Sequence, residues 1–139
     1  MVSMADPTFE VRPARDGDRL PLARLFGAVA EERDGIAAEP PYDVEAGAAR
    51  MTLEGTFAAV ADGEIIGSLH VQTSRFGFGE IGMAVAREWR GHGVGSALVA
   101  AAVEWARERG LHKLSLSVFP HNGAAIALYR EFGFVEEGA

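Results

Sequence analysis

Residues 89–99, WRGHGVGSALV, place three alternating glycines directly before an apolar, alanine-rich helical pattern. These glycines are Gly91, Gly93 and Gly95, and glycine at the start of a helix costs backbone entropy, so some requirement must offset that cost. The segment follows EIGMAVA, which alternates like a strand, and its helix runs to about Arg109 before KLSLSVF alternates again. This strand–helix–strand order predicts a right-handed crossover between parallel strands.

The segments before this unit predict antiparallel strands and two helices. TFEVRPAR, from Thr8, alternates like a first strand, and helical apolar spacing covers residues 20 to about 32 and 43 to about 53. The turn Asp62-Gly63 joins two strand-like halves of TFAAVADGEIIGSLHV, which is a strong hairpin signal. We therefore expect a mixed sheet, antiparallel at the front and parallel where the glycine helix crosses over.

The last part of the chain predicts one more helix and one more strand. Asn122 is expected to cap a helix over AAIALYREF, Gly133 to end it, and FVEE to form a short final strand. We expect one domain over residues 8–139, preceded by a flexible tail over residues 1–7.

Composition limits the classes of function. The chain has 139 residues, of which 48% are hydrophobic, so it is long enough for one domain with an ordinary core. It has no cysteine, no signal-peptide pattern and no apolar run of the ~20 residues that a membrane span needs, so we expect a cytoplasmic protein. The net charge of −7 argues against nucleic acid as a partner and is compatible with a cationic substrate.

The glycines have a chemical use at the start of a helix. Unpaired N–H groups and the helix dipole favour an anion there, and glycine lets a phosphate or pyrophosphate approach the backbone closely. A turn that serves only tight packing is the alternative interpretation. The segment is not a dinucleotide fingerprint, because Ser96 stands where a glycine is needed, and it lacks the lysine of a P-loop.

Two separated motifs resemble the GNAT superfamily of acetyl-CoA-dependent N-acetyltransferases. Arg90-x-x-Gly93-x-Gly95 matches the superfamily's R/Q-x-x-G-x-G/A loop, and Asn122 followed by AAIALYREFGF resembles its next signature. The resemblance covers nearly the whole chain. It implies a GNAT-like α/β fold, an α+β mixed sheet of about six strands flanked by about four helices. Superfamily members usually carry a further C-terminal strand, and this sequence stops at Gly138-Ala139, so truncation of that strand and its supply by a partner chain are both left open.

The resemblance implies a site for acetyl-CoA as acyl donor, with no metal. Its pyrophosphate would meet the glycine loop, and its pantetheine arm would pair with the edge of the fourth strand, where the Val85 N–H would face the thioester oxygen. The residues expected to bind it are Met83, Ala84, Val85, Arg90, Gly91, His92, Gly93, Val94, Gly95, Ser96, Asn122 and Tyr129.

Transfer of an acetyl group to an amine needs two proton movements. The family motif makes Tyr129 the candidate acid for the leaving thiolate, with a packed tyrosine as the alternative. Glu80 is the candidate base, acting through a water, with a solvent-facing residue as the alternative and His121 as a weaker rival. His70 and His112 are interpreted as structural residues.

The resulting hypothesis is an N-acetyltransferase that moves an acetyl group from acetyl-CoA to a primary amine by direct attack on the thioester. The alternative is a catalytically weak acyl-CoA-binding sensor or interaction domain. The sequence does not identify the acceptor: a small-molecule amine and a peptide amine, cationic or not, are both left open. Neither nucleic acid nor a membrane is expected as a partner, and a homodimer is left open.

Overall fold

The computed structural model describes residues 8–32, 43–116 and 123–135. The residues expected to form the N-terminal tail, together with His121 and Asn122, lie outside these ranges. In chain order the elements are β1 (Glu10–Pro13), α1 (Arg19–Glu31), α2 (Val44–Arg50), β2 (Thr56–Ala61), β3 (Glu64–Thr73), β4 (Phe78–Val85), α3 (Val94–Glu108), β5 (Lys113–Leu116) and α4 (Gly123–Glu131). Short 3-10 turns lie at Asp16–Asp18 and Arg87–Trp89.

The strands form one mixed sheet in the order β1-β2-β3-β4-β5. The first four strands pair antiparallel, and β5 pairs parallel with β4 after the α3 crossover, which confirms the predicted mixed sheet. Five strands are found in the described residues against about six expected. The expected strand over FVEE is absent at Phe134 and Val135, and its remaining residues are outside the described part.

The sheet lies between two helical layers. Alternate residues of the strands, such as Leu69 and Ile81, pack with Leu98 of α3 and Tyr129 of α4 in the larger core. On the opposite face, Ala84 of β4 packs with Leu25 and other residues of α1. From Ser68 onward in β3, and along β4, the even-numbered positions face α1 and α2 and the odd-numbered positions face α3, whereas before the bulge Ile65 packs on the α1 side and Ile66 in the larger core.

The β2–β3 hairpin carries the turn that the sequence predicts and an irregularity that it does not. Asp62 and Gly63 both have positive φ, 50° and 77°, as a tight primed hairpin turn requires. A bulge then shifts the pairing register between Ala59 and Val60. Beyond that bulge, Thr56 lies opposite His70.

The helices of the described ranges are too short or too polar to cross a membrane.

Candidate active site

Gly91 and Gly93 give the loop before α3 its shape. Their φ angles are 80° and 84°, a left-handed conformation that costs other residues free energy, and a Cβ at either position would meet no atom within 4 Å. Gly93 is the N-cap of α3. Backbone conformation, and not lack of space, is therefore the structural reason for glycine at these two positions.

Gly95 has a different structural reason. A Cβ built there would lie 3.0 Å from Cδ2 of Leu128 in α4 and 3.4 Å from Cε of Met83 in β4. The missing side chain lets the first turn of α3 pack closely against α4 and β4. Gly91 and Gly93 thus fit the interpretation of a loop shaped for an anion, whereas Gly95 fits the interpretation of tight packing.

The N-terminal end of α3 has the electrostatic character that an anion needs. The first intrahelical bond runs from the Ala97 N–H to the Gly93 carbonyl at 3.1 Å, so the N–H groups of the preceding residues point out of the helix end. No acidic side chain lies in this first turn, and His92 beside it is exposed. These residues fit the pyrophosphate of acetyl-CoA, with backbone donors near His92–Ser96 available to hold it.

Arg90, the first residue of the loop motif, has protein partners in this structure. Its guanidinium donates to both carboxylate oxygens of Glu32, at 2.7 and 3.0 Å, and its Nε donates to the Val85 carbonyl at 3.1 Å. The side chain thereby joins the end of α1 to the end of β4. A direct contact between this guanidinium and a phosphate stays a prediction.

The β4 strand continues past its described pairing with β5. The last such pair is Ile81 with Leu116, whereas β3 pairs with β4 as far as Val85. Met83 and Val85 are partly buried, and Ala84 is buried against α1. Met83 packs beside Gly95 at the start of α3, and this end of β4 is where the pantetheine arm is predicted to bind.

Tyr129 is a buried residue of the larger core, 8% exposed. Its ring meets Phe134 edge to face, with centroids 5.7 Å apart. Burial raises the pKa of the phenol, so the hydroxyl stays protonated at neutral pH, as a general acid must be. A packing role alone is also compatible with this environment, and the catalytic assignment remains a prediction.

An open cleft of about 370 Å³ lies on the opposite face of the sheet, between the strands and α1 and α2. Its floor includes Gly82, Met83 and Ala84 of β4, so this strand borders both the cleft and the α3 end. The other lining residues are Leu22, Phe26, Gly47, Arg50, Met51, Thr52, Thr56, Ser68, His70 and Gln72.

Glu80, the predicted base, is exposed on β4 and is not among the residues that line the cleft. It lies opposite Gln72 in the sheet, on the same face as the lining residues and one step beyond Gly82. A water would therefore have to join its carboxylate to a group in the cleft.

His70 is a residue of this cleft that the sequence interpretation assigned to structure alone. Its Nδ1 lies 2.6 Å from Oγ1 of Thr56. Burial lowers the pKa of the imidazole, partly opposed by a hydrogen bond with Gln72, so the ring is neutral at pH 7. His112, by contrast, is exposed beside Gly77 at the far end of β4.

In the described part of the chain, no group of three histidine or carboxylate side chains is placed to hold a metal ion.

Comparisons with known proteins agree on one family. Residues 22–134 match the model of the Acetyltransferase (GNAT) family. The chain is 34% identical to streptothricin acetyltransferase of Streptomyces lavendulae over 96% of this chain and 85% of that protein. It is 32% identical to the L-amino acid N-acetyltransferase AaaT of Escherichia coli over 58% of this chain and 52% of that protein.

A solved structure shares the fold. The yncA protein of Salmonella typhimurium, a putative acetyltransferase determined with its cofactor acetyl-CoA, superposes with a TM-score of 0.82 at 18% identity, covering 94% of this chain and 81% of that one. Several other curated acetyltransferases are matched over only 20–58% of their own length. The family match over most of the chain, on a sheet and loop of the expected form, means that this chain belongs to the GNAT acetyltransferase family.

Proposed function

We propose that this protein transfers an acetyl group from acetyl-CoA to a small primary amine. The observation that carries the proposal is the position of β4 between two sites. Met83 lines the cleft and also packs beside Gly95 at the start of α3. A donor held at the α3 end and an amine held in the cleft would thus meet at residues 82–85 of one strand.

The residues have distinct roles in this proposal. Acetyl-CoA, when bound, supplies an acetyl thioester. The N–H groups near the start of α3 hold the pyrophosphate, and the Val85 N–H stabilises negative charge on the carbonyl oxygen. Tyr129 gives its phenolic proton to the departing sulfur. The amine proton must pass to a base, for which the sequence alone predicts Glu80 acting through a water.

The cleft bears on the kind of amine. Apolar atoms make up most of its surface, although six of the lining residues have polar side chains, and Arg50 is the one permanently charged side chain among the described lining residues. Two acidic side chains at the ends of α1 and α2 have protein partners: Glu32 is paired with Arg90, and Asp43 caps α2 by accepting from the Ala46 N–H at 3.0 Å. The relatives named above act on an antibiotic and on amino acids, which supports a small amine acceptor.

The test is a panel of amines incubated with the protein and acetyl-CoA. It should include amino acids, polyamines, an aminoglycoside, streptothricin and a peptide with a free N-terminus. We expect thiol release that depends on one class of amine, with the acetylated product identified by mass. Thermal stabilisation by acetyl-CoA without thiol release from any amine would instead favour the acyl-CoA-binding alternative.

A further inference from the structure

The imidazole of His70 lies in the cleft opposite a position without a side chain. His70 is half-buried on β3, and its cross-strand neighbour on β4 is Gly82. A Cβ at Gly82 would meet no atom of the described residues within 4 Å, so among these residues the space beside the imidazole is open on the β4 side. Directly opposed residues of antiparallel strands have Cβ positions about 5 Å apart, so a group over Gly82 is within reach of the ring.

The hydrogen bonds of Thr56 determine which ring nitrogen carries the proton. The Thr56 hydroxyl has a single proton, and it donates that proton to the Thr52 carbonyl at 2.6 Å. Towards His70 the same oxygen can therefore only accept, so the bond at 2.6 Å comes from an Nδ1–H. The proton on Nδ1 leaves the lone pair on Nε2 of the neutral ring.

Within residues 8–32, 43–116 and 123–135, few charged groups lie around His70. On α2, Arg50 lines the same cleft. On α1, Arg19 donates to the carbonyls of Ala48 and Met51, and on β4 the carboxylate of Glu80 lies opposite Gln72. The β2 strand contributes no charged residue. Burial outweighs the hydrogen bond with Gln72 and lowers the pKa of His70, so the ring is unprotonated at neutral pH.

We propose that His70 accepts the proton of the acceptor ammonium through Nε2, and that Thr56 is the residue that positions it. The inference rests on the proposed function. One N–H bond of the ammonium breaks and its electron pair stays on the amine nitrogen, while the proton forms an N–H bond on Nε2 and later passes to solvent. Unlike Glu80, His70 lines the cleft itself. Gln72 also lines the cleft and hydrogen-bonds the ring, and because Nδ1 faces Thr56, the Gln72 side chain must turn aside for the ammonium to reach Nε2.

The first measurement is made on the free protein. In 15N-histidine-labelled protein, we expect the His70 signals of an Nδ1–H tautomer and a titration midpoint below the ordinary value of about 6.5. Thr56→Val removes the hydroxyl and should change the tautomer balance, whereas Thr56→Ser should retain it. A proton on Nε2 in the wild-type protein would overturn the inference whatever the activity.

The second measurement is the pH profile of kcat/KM with the best amine. His70→Gln should lower kcat/KM at pH 7 by about 10²–10⁴-fold, the usual span for general base catalysis. Its rate should recover as the pH rises towards the pKa of the amine, because free amine then forms without the base. His112→Gln is the matched control and should keep the wild-type profile.

The outcomes separate this inference from the function on which it rests. An active wild-type protein whose His70→Gln variant keeps both the rate and the pH profile would overturn the role of His70 alone. A larger loss in Glu80→Gln than in His70→Gln would overturn it too, and would assign the proton to Glu80. If the wild-type protein acetylates no amine, the proposed function fails and this inference fails with it.

Discussion

Alanine in place of Gly93 should weaken acetyl-CoA binding far more than alanine in place of Gly110. The two glycines have φ angles of 84° and 67°, and a Cβ at either would meet no atom within 4 Å. The conformational strain is therefore matched, at about 1–2 kcal/mol each, which corresponds to roughly 3–8 °C in Tm for a domain of this size. Only Gly93 caps the end of α3 where the pyrophosphate is predicted to bind.

The expected loss of affinity can be estimated from one contact. If the strained loop turns a single backbone N–H away from a phosphate oxygen, the lost charge-assisted hydrogen bond is worth about 1.5–3 kcal/mol. That converts to roughly a 10- to 150-fold higher Kd for Gly93→Ala and to almost no change for Gly110→Ala.

Isothermal titration with acetyl-CoA measures the Kd values, and melting curves without ligand check that the two variants are destabilised alike. Saturating acetyl-CoA should raise the Tm of Gly110→Ala as much as that of the wild-type protein. Equal Kd values for the two variants would refute the reasoning and leave Gly93 with a purely conformational role.

Three further predictions concern proton-carrying groups. Tyr129→Phe keeps the buried ring, so the variant should melt like the wild-type protein and keep its KM for acetyl-CoA. Its kcat in steady-state kinetics should fall by about 10²–10⁴-fold, and an unchanged kcat would mean that Tyr129 is not the acid. Asp18 accepts from Arg12 at 2.6 and 3.1 Å and from the Arg15 N–H, with Arg12 the main cause of its lowered pKa. Its stabilising effect is present above about pH 4 and declines as the pH falls towards the lowered pKa of the folded state. Asp18→Asn should therefore cost about 1–3 kcal/mol in urea unfolding at pH 7, and the cost should shrink as the pH is lowered below about 4. The lowered pKa of His70 also affects stability, because the unfolded chain binds a proton at this residue before the folded protein does as the pH falls below about 6.5. The free energy of unfolding of the wild-type protein should therefore fall more between pH 7 and pH 5 than that of His70→Gln. Equal losses in the two proteins would contradict this.

Local signals predicted most of the architecture. The Asp62-Gly63 pair predicts the hairpin because both residues must adopt positive φ, and the structure has them so. The alternation of Ile81 and Met83 predicts β4, and Gly110 predicts the end of α3 with its φ of 67°. The glycine loop motif, Arg90 to Gly95, was recognisable because its residues are close in sequence and together shape one short backbone loop.

The relation between His70 and Thr56 could not be predicted in this way. Counted back from the Asp62-Gly63 turn, an unbroken hairpin would place Thr56 opposite Leu69. The bulge between Ala59 and Val60 shifts the register by one residue and brings Thr56 opposite His70 instead. The cleft itself also depends on where α1 and α2 pack, which no spacing within either helix specifies.

The strand order has a consequence for how the chain folds. In the order β1-β2-β3-β4-β5, the antiparallel pairs β2–β3 and β3–β4 are each joined by a short loop. The parallel pairing of β4 with β5 requires the whole α3 crossover to be in place and therefore brings together residues further apart in sequence. We expect the β2–β3–β4 meander to gain hydrogen-exchange protection first during refolding, and β5 later. The glycine loop belongs to the late-forming segment, so the protein should become able to bind its acyl donor only in the last stage of folding.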